Sequence, residues 1–309
     1  MIDRVYHDMR LGHLTYLTAL ARERHFGRAA AACNVSQPTL SAGIRRLEGE
    51  LGVRIVQRTQ RFEGLTPEGE RVLVWARRIL ADCEALESDV GELRGGLTGQ
   101  VRIGAIPTAL PAAPFLTRAL RAGHPNVMAS VLSLTSREIE RELRDYELHA
   151  GLTYLDNEPL HHVRTLPLYR ERYHLLTAAD GPPAHPTIAW AQAARQPLCL
   201  LTPDMQNRRI IDGIFREAGA QPRPVVETNS ISTLYGHVRD GGLSGVVAHP
   251  WLWQRGVPED MRAVPLVEPE RSHVVGLVSL ETDPEPPLVR ALLDTARGLD
   301  LEVELAGRG

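Results

Sequence analysis

The chain contains no lysine, so its 35 basic residues are all arginine, a bias of composition rather than of mechanism. It has only three cysteines, Cys33, Cys83 and Cys199. They are too few and too scattered for a disulfide framework or a metal knuckle. No apolar run approaches the ~18 residues that cross a bilayer. The start, MIDRVYHDMR, is charged and leads into Gly12, His13 and Thr15, without the unbroken apolar region of an export signal. These absences predict a cytoplasmic protein with no membrane partner. No Gly-x-Ser-x-Gly elbow, phosphate loop or dinucleotide fingerprint occurs. His161 and His162 lack a third ligand at metal spacing, and the glycines from 241 to 245 follow a helix and precede a strand, the reverse of a dinucleotide motif. No nucleophile–base pair emerges either. The expectation is no metal, no cofactor and no enzymatic activity.

What the chain has is an asymmetry of charge. Between Arg10 and Phe62 there are nine arginines and three glutamates, a net of +6, which leaves −9 for the remainder of a chain whose total is −3. A basic head on an acidic body suggests a polyanion-binding module attached to something else. Within the head, NVSQPTLSAGIRRLEGELGVRI carries a helix N-cap at Ser36, a tolerated Pro38 in the first turn, and an apolar stripe at Leu40, Ile44, Leu47 and Leu51. On the other side, Gln37, Ser41 and Arg45 repeat at four-residue spacing. A helix of this kind fits a DNA major groove, where Gln and Ser meet base edges and Arg45 meets phosphate. The alanine-rich segment around Gly27 to Cys33 lets a preceding helix pack closely, with Asn34 and Val35 as the turn. After Gly52, alternation in VRIVQRTQRFEGLT predicts a two-stranded wing bearing Arg58 and Arg61, within reach of backbone or minor groove. The head is therefore expected to be a winged helix-turn-helix over residues 1–65.

These residues resemble the LysR-type transcriptional regulators, and the resemblance covers nearly the whole length. It rests on AAAACNVSQPTLSAGIRRLEGELGVRI, a later Arg-Thr and LTPEGE. It implies that Gln37, Pro38 and Ser41, with Thr39 between them, face the bases, and that Arg58, Arg61 and Thr66 meet the DNA backbone. Ala42 stands where many members carry a long polar residue, and Cys33 where leucine is usual.

From Thr66, a second N-cap, the pattern predicts an unbroken linker helix over 66–95. Heptad a positions hold Val72, Ile79, Leu86 and Leu93, and d positions hold Ala76, Cys83 and Val90. So narrow a seam predicts a dimer contact, with Val72, Ile79, Leu86 and Val90 as its centre. Gly95, Gly96 and Gly99 then form a hinge. Beyond it, strands alternate with helices, which predicts an α/β fold. The order is similar to the family's two-lobed effector domain, itself like periplasmic solute-binding proteins. It is placed at 96–303, with lobe I at about 100–165 and 267–303 and lobe II at about 166–266.

Ligands of open α/β sheets bind beyond the carboxyl ends of strands, at helix N-termini. Thr108, the Thr135-Ser136 pair, Thr202 before Asn207, and Ser230 all stand at such places. Together they suit a small carboxylate or other anion. The resemblance adds that positions matching Thr108, Ser136 and Thr202 line the cleft. His249 and Tyr154 are further candidates, and His149 replaces an aspartate common in the family. A peroxide sensor would need two reachable thiols in the body, where Cys199 stands alone. The stretch GLTYLDNEPL looks like a branch tied to formate and small-acid oxidation.

The expected function is a DNA-binding regulator controlled by a small-molecule effector. Its partners would be double-stranded promoter DNA, RNA polymerase and copies of itself, a homodimer by the seam and a homotetramer by the resemblance. The alternative is a solute-binding or enzymatic α/β domain whose head binds DNA without regulating.

Overall fold

The computed structural model describes residues 10–58, 62–179 and 186–306. Contacts divide the chain into two compact units, 1–90 and 91–309. In the first, α1 (Leu11–Glu23), α2 (Phe26–Ala32) and α3 (Gln37–Leu51) precede a two-stranded antiparallel ribbon, β1 (Val56–Arg58) and β2 (Phe62–Leu65). The long α4 (Pro67–Gly95) follows. The sequence dictates each boundary. His25 Nδ1 accepts the Gly27 and Arg28 amides to start α2. Asn34 makes the turn at φ +54°, a left-handed conformation that asparagine tolerates. The Ser36 hydroxyl accepts the Thr39 amide at 3.3 Å to start α3, and Gly52 ends it at φ +67°.

Leu14, Leu17, Leu20, Ala29, Leu40, Ile44 and Leu47 form the sealed core of this unit. Gly43 lets α1 and α3 meet, since a Cβ there would stand 2.6 Å from the Tyr16 ring. Glu48 Oε1 accepts the Ile55 and Val56 amides at 3.0 and 3.1 Å and ties the ribbon to α3. The first half of α4 differs from the expected seam. Leu73 and Ala76 are buried, and Val72, Ile79 and Leu80 pack half-buried against the same core. Val72 and Ile79 therefore pack at least partly on their own head. The heptad count could not separate these uses, because both need apolar residues at the same spacing. The free apolar side chains of α4 are Val74, Trp75, Leu86, Val90 and Leu93.

In the second unit, β3 (Gly99–Ala105) leads through a 3₁₀ turn (Pro107–Ala112) into α5 (Ala113–Gly123). Then come β4 (Val127–Ser133), α6 (Ser136–Arg144), β5 (Ala150–Tyr154) and a sixteen-residue strand, β6 (Val163–Ala178). The chain continues with β7 (Ile188–Ala189), α7 (Trp190–Ala193), β8 (Leu198–Leu201), α8 (Gln206–Glu217) and β9 (Pro224–Thr228). Next are α9 (Ile231–Gly241), β10 (Ser244–Ala248), α10 (His249–Arg255) and β11 (Met261–Val267). The described chain closes with β12 (Ser272–Leu280), α11 (Pro287–Arg297) and α12 (Leu301–Leu305).

The strand order is β4-β3-β5-β12-β6-β10-β8-β9, with β11 also paired to β6 and to β7. Strands β4, β3 and β5 are parallel, as are β10, β8 and β9. Two lobes result, sharing β6. Its first half pairs with β12 as far as Ser272 opposite Arg172. From Tyr173 it pairs with β10, and from His174 with β11. The passage between lobes thus falls inside a strand, about seven residues beyond the expected limit at 165.

Candidate nucleic-acid interface and effector crevice

On α3 the polar stripe looks outward. Gln37, Pro38, Thr39 and Arg45 are exposed and Ser41 is half-buried, while Leu40, Ile44 and Leu47 behind them are fully buried. The Thr39 hydroxyl is 2.8 Å from the Ser36 hydroxyl, so it belongs partly to the cap. Thr66 donates its hydroxyl to Arg54 O at 2.5 Å and accepts the Gly69 amide at 2.9 Å, which makes it the start signal of α4. Arg58 ends β1, and Arg61 lies outside the described residues. A helix-turn-helix whose second helix presents amide, hydroxyl and guanidinium groups, with a ribbon beside it, has the shape and charge of a duplex-reading module.

In the second unit, four elements converge between the lobes. Thr108 comes from the 3₁₀ turn after β3, Tyr154 from the end of β5, Glu171 from β6 and Asn207 from the first turn of α8. All four are buried, Glu171 completely. Asn207 donates Nδ2 to the Tyr154 hydroxyl at 2.8 Å and to Glu171 Oε1 at 3.3 Å. Tyr154 donates its hydroxyl to Glu171 Oε1 and stands 3.2 Å from the Thr108 hydroxyl. The neighbouring Gln206 donates to Asn157 O, and its Oε1 accepts from Thr153 at 3.4 Å. Arg209 adds an ion pair to Glu158, with Nε 2.7 Å from Oε1. The first turn of α8 in lobe II is therefore clasped from lobe I and from the shared strand.

Some polar atoms of this region are left over. Ser136 Oγ, Thr202 Oγ1, Glu171 Oε2 and the hydroxyls of Tyr169 and Tyr173 are buried with no hydrogen-bond partner among the described residues. Burial pushes the Glu171 carboxyl up to about 7, against the pull of the hydrogen bonds from Tyr154 and Asn207, which favour its charged form. The hydrogen bond from Arg209 holds Glu158 below the usual carboxylate range, with the charge of nearby Arg137 adding to it.

Of the residues expected to hold an effector, Thr108 and Asn207 meet at the Tyr154 hydroxyl, 3.2 and 2.8 Å from it. Ser136, first residue of α6, and Thr202, before α8, bring their unpartnered hydroxyls to strand ends. Thr135 is engaged in a capping box with Glu138, and Ser230 caps α9 through the Thr233 amide. His249 lies elsewhere: its Nδ1 accepts the Arg172 amide at 3.1 Å, and its ring meets Tyr169 edge-on at 6.0 Å. It lines a groove of about 1770 Å³ with Phe115, Arg172, Trp253 and Glu302. Burial, with the charge of Arg172, pushes it down to about 4, so it is a neutral acceptor. Glu171 and Tyr173 are absent from the sequence expectations. The available signal was the alternation of Tyr169, Glu171, Tyr173 and Leu175, which sets a carboxyl on the inward face of a strand.

The comparisons fit both halves. The profile described as "Bacterial regulatory helix-turn-helix protein, lysR family" matches residues 11–70, and the one described as "LysR substrate binding domain" matches residues 94–299. The second alone spans most of the chain. It belongs to the LysR family of transcriptional regulators. A curated relative of this LysR-type regulator is the DNA-binding transcriptional dual regulator OxyR of Escherichia coli, 32% identical over 87% of this chain and 89% of that protein. Full-length OxyR from Pseudomonas aeruginosa, solved as a cysteine variant, superposes with a TM-score of 0.74 at 28% identity, covering 95% of this chain and 99% of that one. CbnR, solved with its target DNA, shares the fold at a TM-score of 0.66 and 22% identity, over 94% and 99% of the two chains. The regulator thus has a DNA-binding head and a two-lobed substrate-binding body, and the family is one of regulators rather than enzymes. Among the described residues, no helix is long and apolar enough to cross a membrane.

Proposed function

We propose that this regulator reads promoter DNA through α3 and its wing, and that a small molecule held between the lobes controls that reading. The observation that carries the proposal is the set of buried polar groups from both lobes facing one another with several hydrogen-bonding atoms unused. Buried polar groups without partners are costly, and a ligand can supply the missing partners. Thr108, Ser136, Thr202 and Asn207 are its polar contacts, while Thr135 and Ser230 shape the rim as caps. The first turn of α8 has no side-chain cap, so its amides suit the acidic end of a small carboxylate or other oxyanion. Relatives from Haemophilus influenzae and Pectobacterium carotovorum are named hydrogen peroxide-inducible genes activators. In this chain Cys199 is buried in β8, and burial pushes its thiol up, which supports reversible binding rather than thiol oxidation.

Gln37, Pro38, Thr39, Ser41 and Arg45 meet the duplex, with Arg58 and Arg61 on the wing. Paired heads come from a homodimer through the free face of α4, and a homotetramer forms when two dimers associate. Lobe movement changes the spacing of the heads and, with it, the contact made with RNA polymerase in the cytoplasm. Fluorescence anisotropy on the chain's own upstream region tests this. Binding is expected to weaken steeply with salt and to drop about tenfold or more in Gln37→Ala. Binding indifferent to both would overturn the reading. In a thermal-shift screen of small carboxylates and oxyanions, a true effector at about 100 times its Kd adds about 2.7 kcal/mol of stability.

A further inference from the structure

Glu171 stands where both lobes and the strand they share meet. Asn207 reaches it from lobe II, Tyr154 and Thr108 from lobe I, and Tyr173 from the next inward position of β6. Its cross-strand neighbour on β12 is His273, whose ring lies 6.1 Å from that of Tyr154 and whose Nδ1 is 3.2 Å from Asp156 Oδ1. The groups around the carboxyl are thus three tyrosines, one histidine, one aspartate and the neutral Thr108 and Asn207. Burial holds the tyrosines protonated. Among the described residues, no guanidinium is paired with the carboxyl. Arg208, the buried arginine of α8, is taken up by Asp212 at 2.9 Å, Glu227 at 2.7 Å and Leu201 O at 2.5 Å.

We propose that Glu171 makes the clasp between the lobes proton-dependent, closed when the carboxyl is neutral and loosened when it is ionised. Geometry supplies the reason. When α8 is seated, Asn207 and Tyr154 seal the carboxyl from water, and a bare charge there has Oε1 satisfied but Oε2 unserved. A proton on Oε2, which has no hydrogen-bond partner among the described residues, removes the charge. When α8 lifts away, water reaches the carboxyl and the cost of ionising it falls.

The sign follows from linkage. The closed form raises the carboxyl from 4.5 to about 7, so its stability is fully present below the ordinary carboxylate value and is lost as pH rises through about 7. Between pH 5 and 7 the closed-to-open ratio should fall by up to about tenfold per pH unit, flattening above that. The proposal rests on the crevice reading only for its effect on DNA. The clasp itself can be measured without effector or duplex.

The test uses the full chain with dyes at Arg144→Cys on α6 and Arg239→Cys on α9, in a Cys33→Ser, Cys83→Ser background; Cys199 is buried. Energy transfer between the lobes should drop from pH 5 to pH 8 in this protein and stay high and flat in Glu171→Gln. Infrared titration should show a protonated carboxyl band that disappears as pH rises through 7 and is missing from Glu171→Gln. Should that variant fail to fold, Tyr154→Phe decides. Loss of a donor that favours the charged form moves the midpoint to higher pH, and an unmoved midpoint overturns the proposal. It is equally overturned by a pH-independent distance, by an undiminished slope in Glu171→Gln, or by a slope that vanishes in His273→Asn. A proton response without any effector response in DNA binding would leave the clasp standing and remove the crevice as effector site. The reverse result would keep the site and discard the clasp.

Discussion

Single side chains decide how the head reads a duplex. Gln37 and Arg45 share one exposed stripe of α3 but face different chemistry, so their losses should differ in kind. Gln37→Ala removes a group able to pair in bidentate fashion with a base and should cost about 1–3 kcal/mol on the preferred site, with relaxed sequence preference. Arg45→Ala should weaken all sequences alike and lower the slope of log affinity against log salt by about 1. Anisotropy titrations on matched and scrambled duplexes at several salt concentrations distinguish the two. Behind the stripe, Leu40 is completely buried. Leu40→Ala should lose about 2–5 kcal/mol in denaturant unfolding of the head. Gly43→Ala should also destabilise, by about 1–3 kcal/mol, because the Tyr16 ring leaves no room for a methyl group.

At the scale of elements, α4 carries two tasks along one helix. Its first half closes the head with Leu73 and Ala76, and its second half leaves Leu86 and Leu93 at 63% and 85% exposure. Leu86, with Val90, is among the dimer contacts the seam predicts, and Leu93 continues the same heptad position. Leu86→Glu with Leu93→Glu should yield monomers by light scattering while the head keeps its unfolding midpoint. The elements also show where sequence patterns speak and where they fall silent. Helix α3 was legible because Ser36 caps it and its apolar stripe repeats at one face. Strand β6 was legible only from Arg172 onward, in RYHLLTA; its first half, from Val163, carries Pro167 and alternating charges that do not mark a buried strand. Pro167, which has no amide proton, sits opposite Gly276 where the pairing with β12 shifts register, so the ladder tolerates it. Thr108, Ser136, Thr202 and Asn207 were legible as strand-end polar residues. Glu171 was not, because a glutamate among arginines reads as solvent-facing until a second lobe is known to cover it.

For the whole molecule, charge separation and shared strands set the behaviour. The head's net +6 against −9 elsewhere favours association with polyanions through one end only. Raising salt should therefore abolish binding to duplex before it affects folding, measured by anisotropy and circular dichroism on one sample. The common strand has a different consequence. Because Arg172 and Ser272 are paired neighbours at the point where the chain leaves lobe I and re-enters it, everything between them is an insertion into an otherwise complete smaller architecture. Replacing residues 173–271 by a two-residue hairpin should leave a soluble, five-stranded miniature with its own cooperative melting. Excising that same span as a separate polypeptide should give a fragment deprived of the scaffold on which it grew.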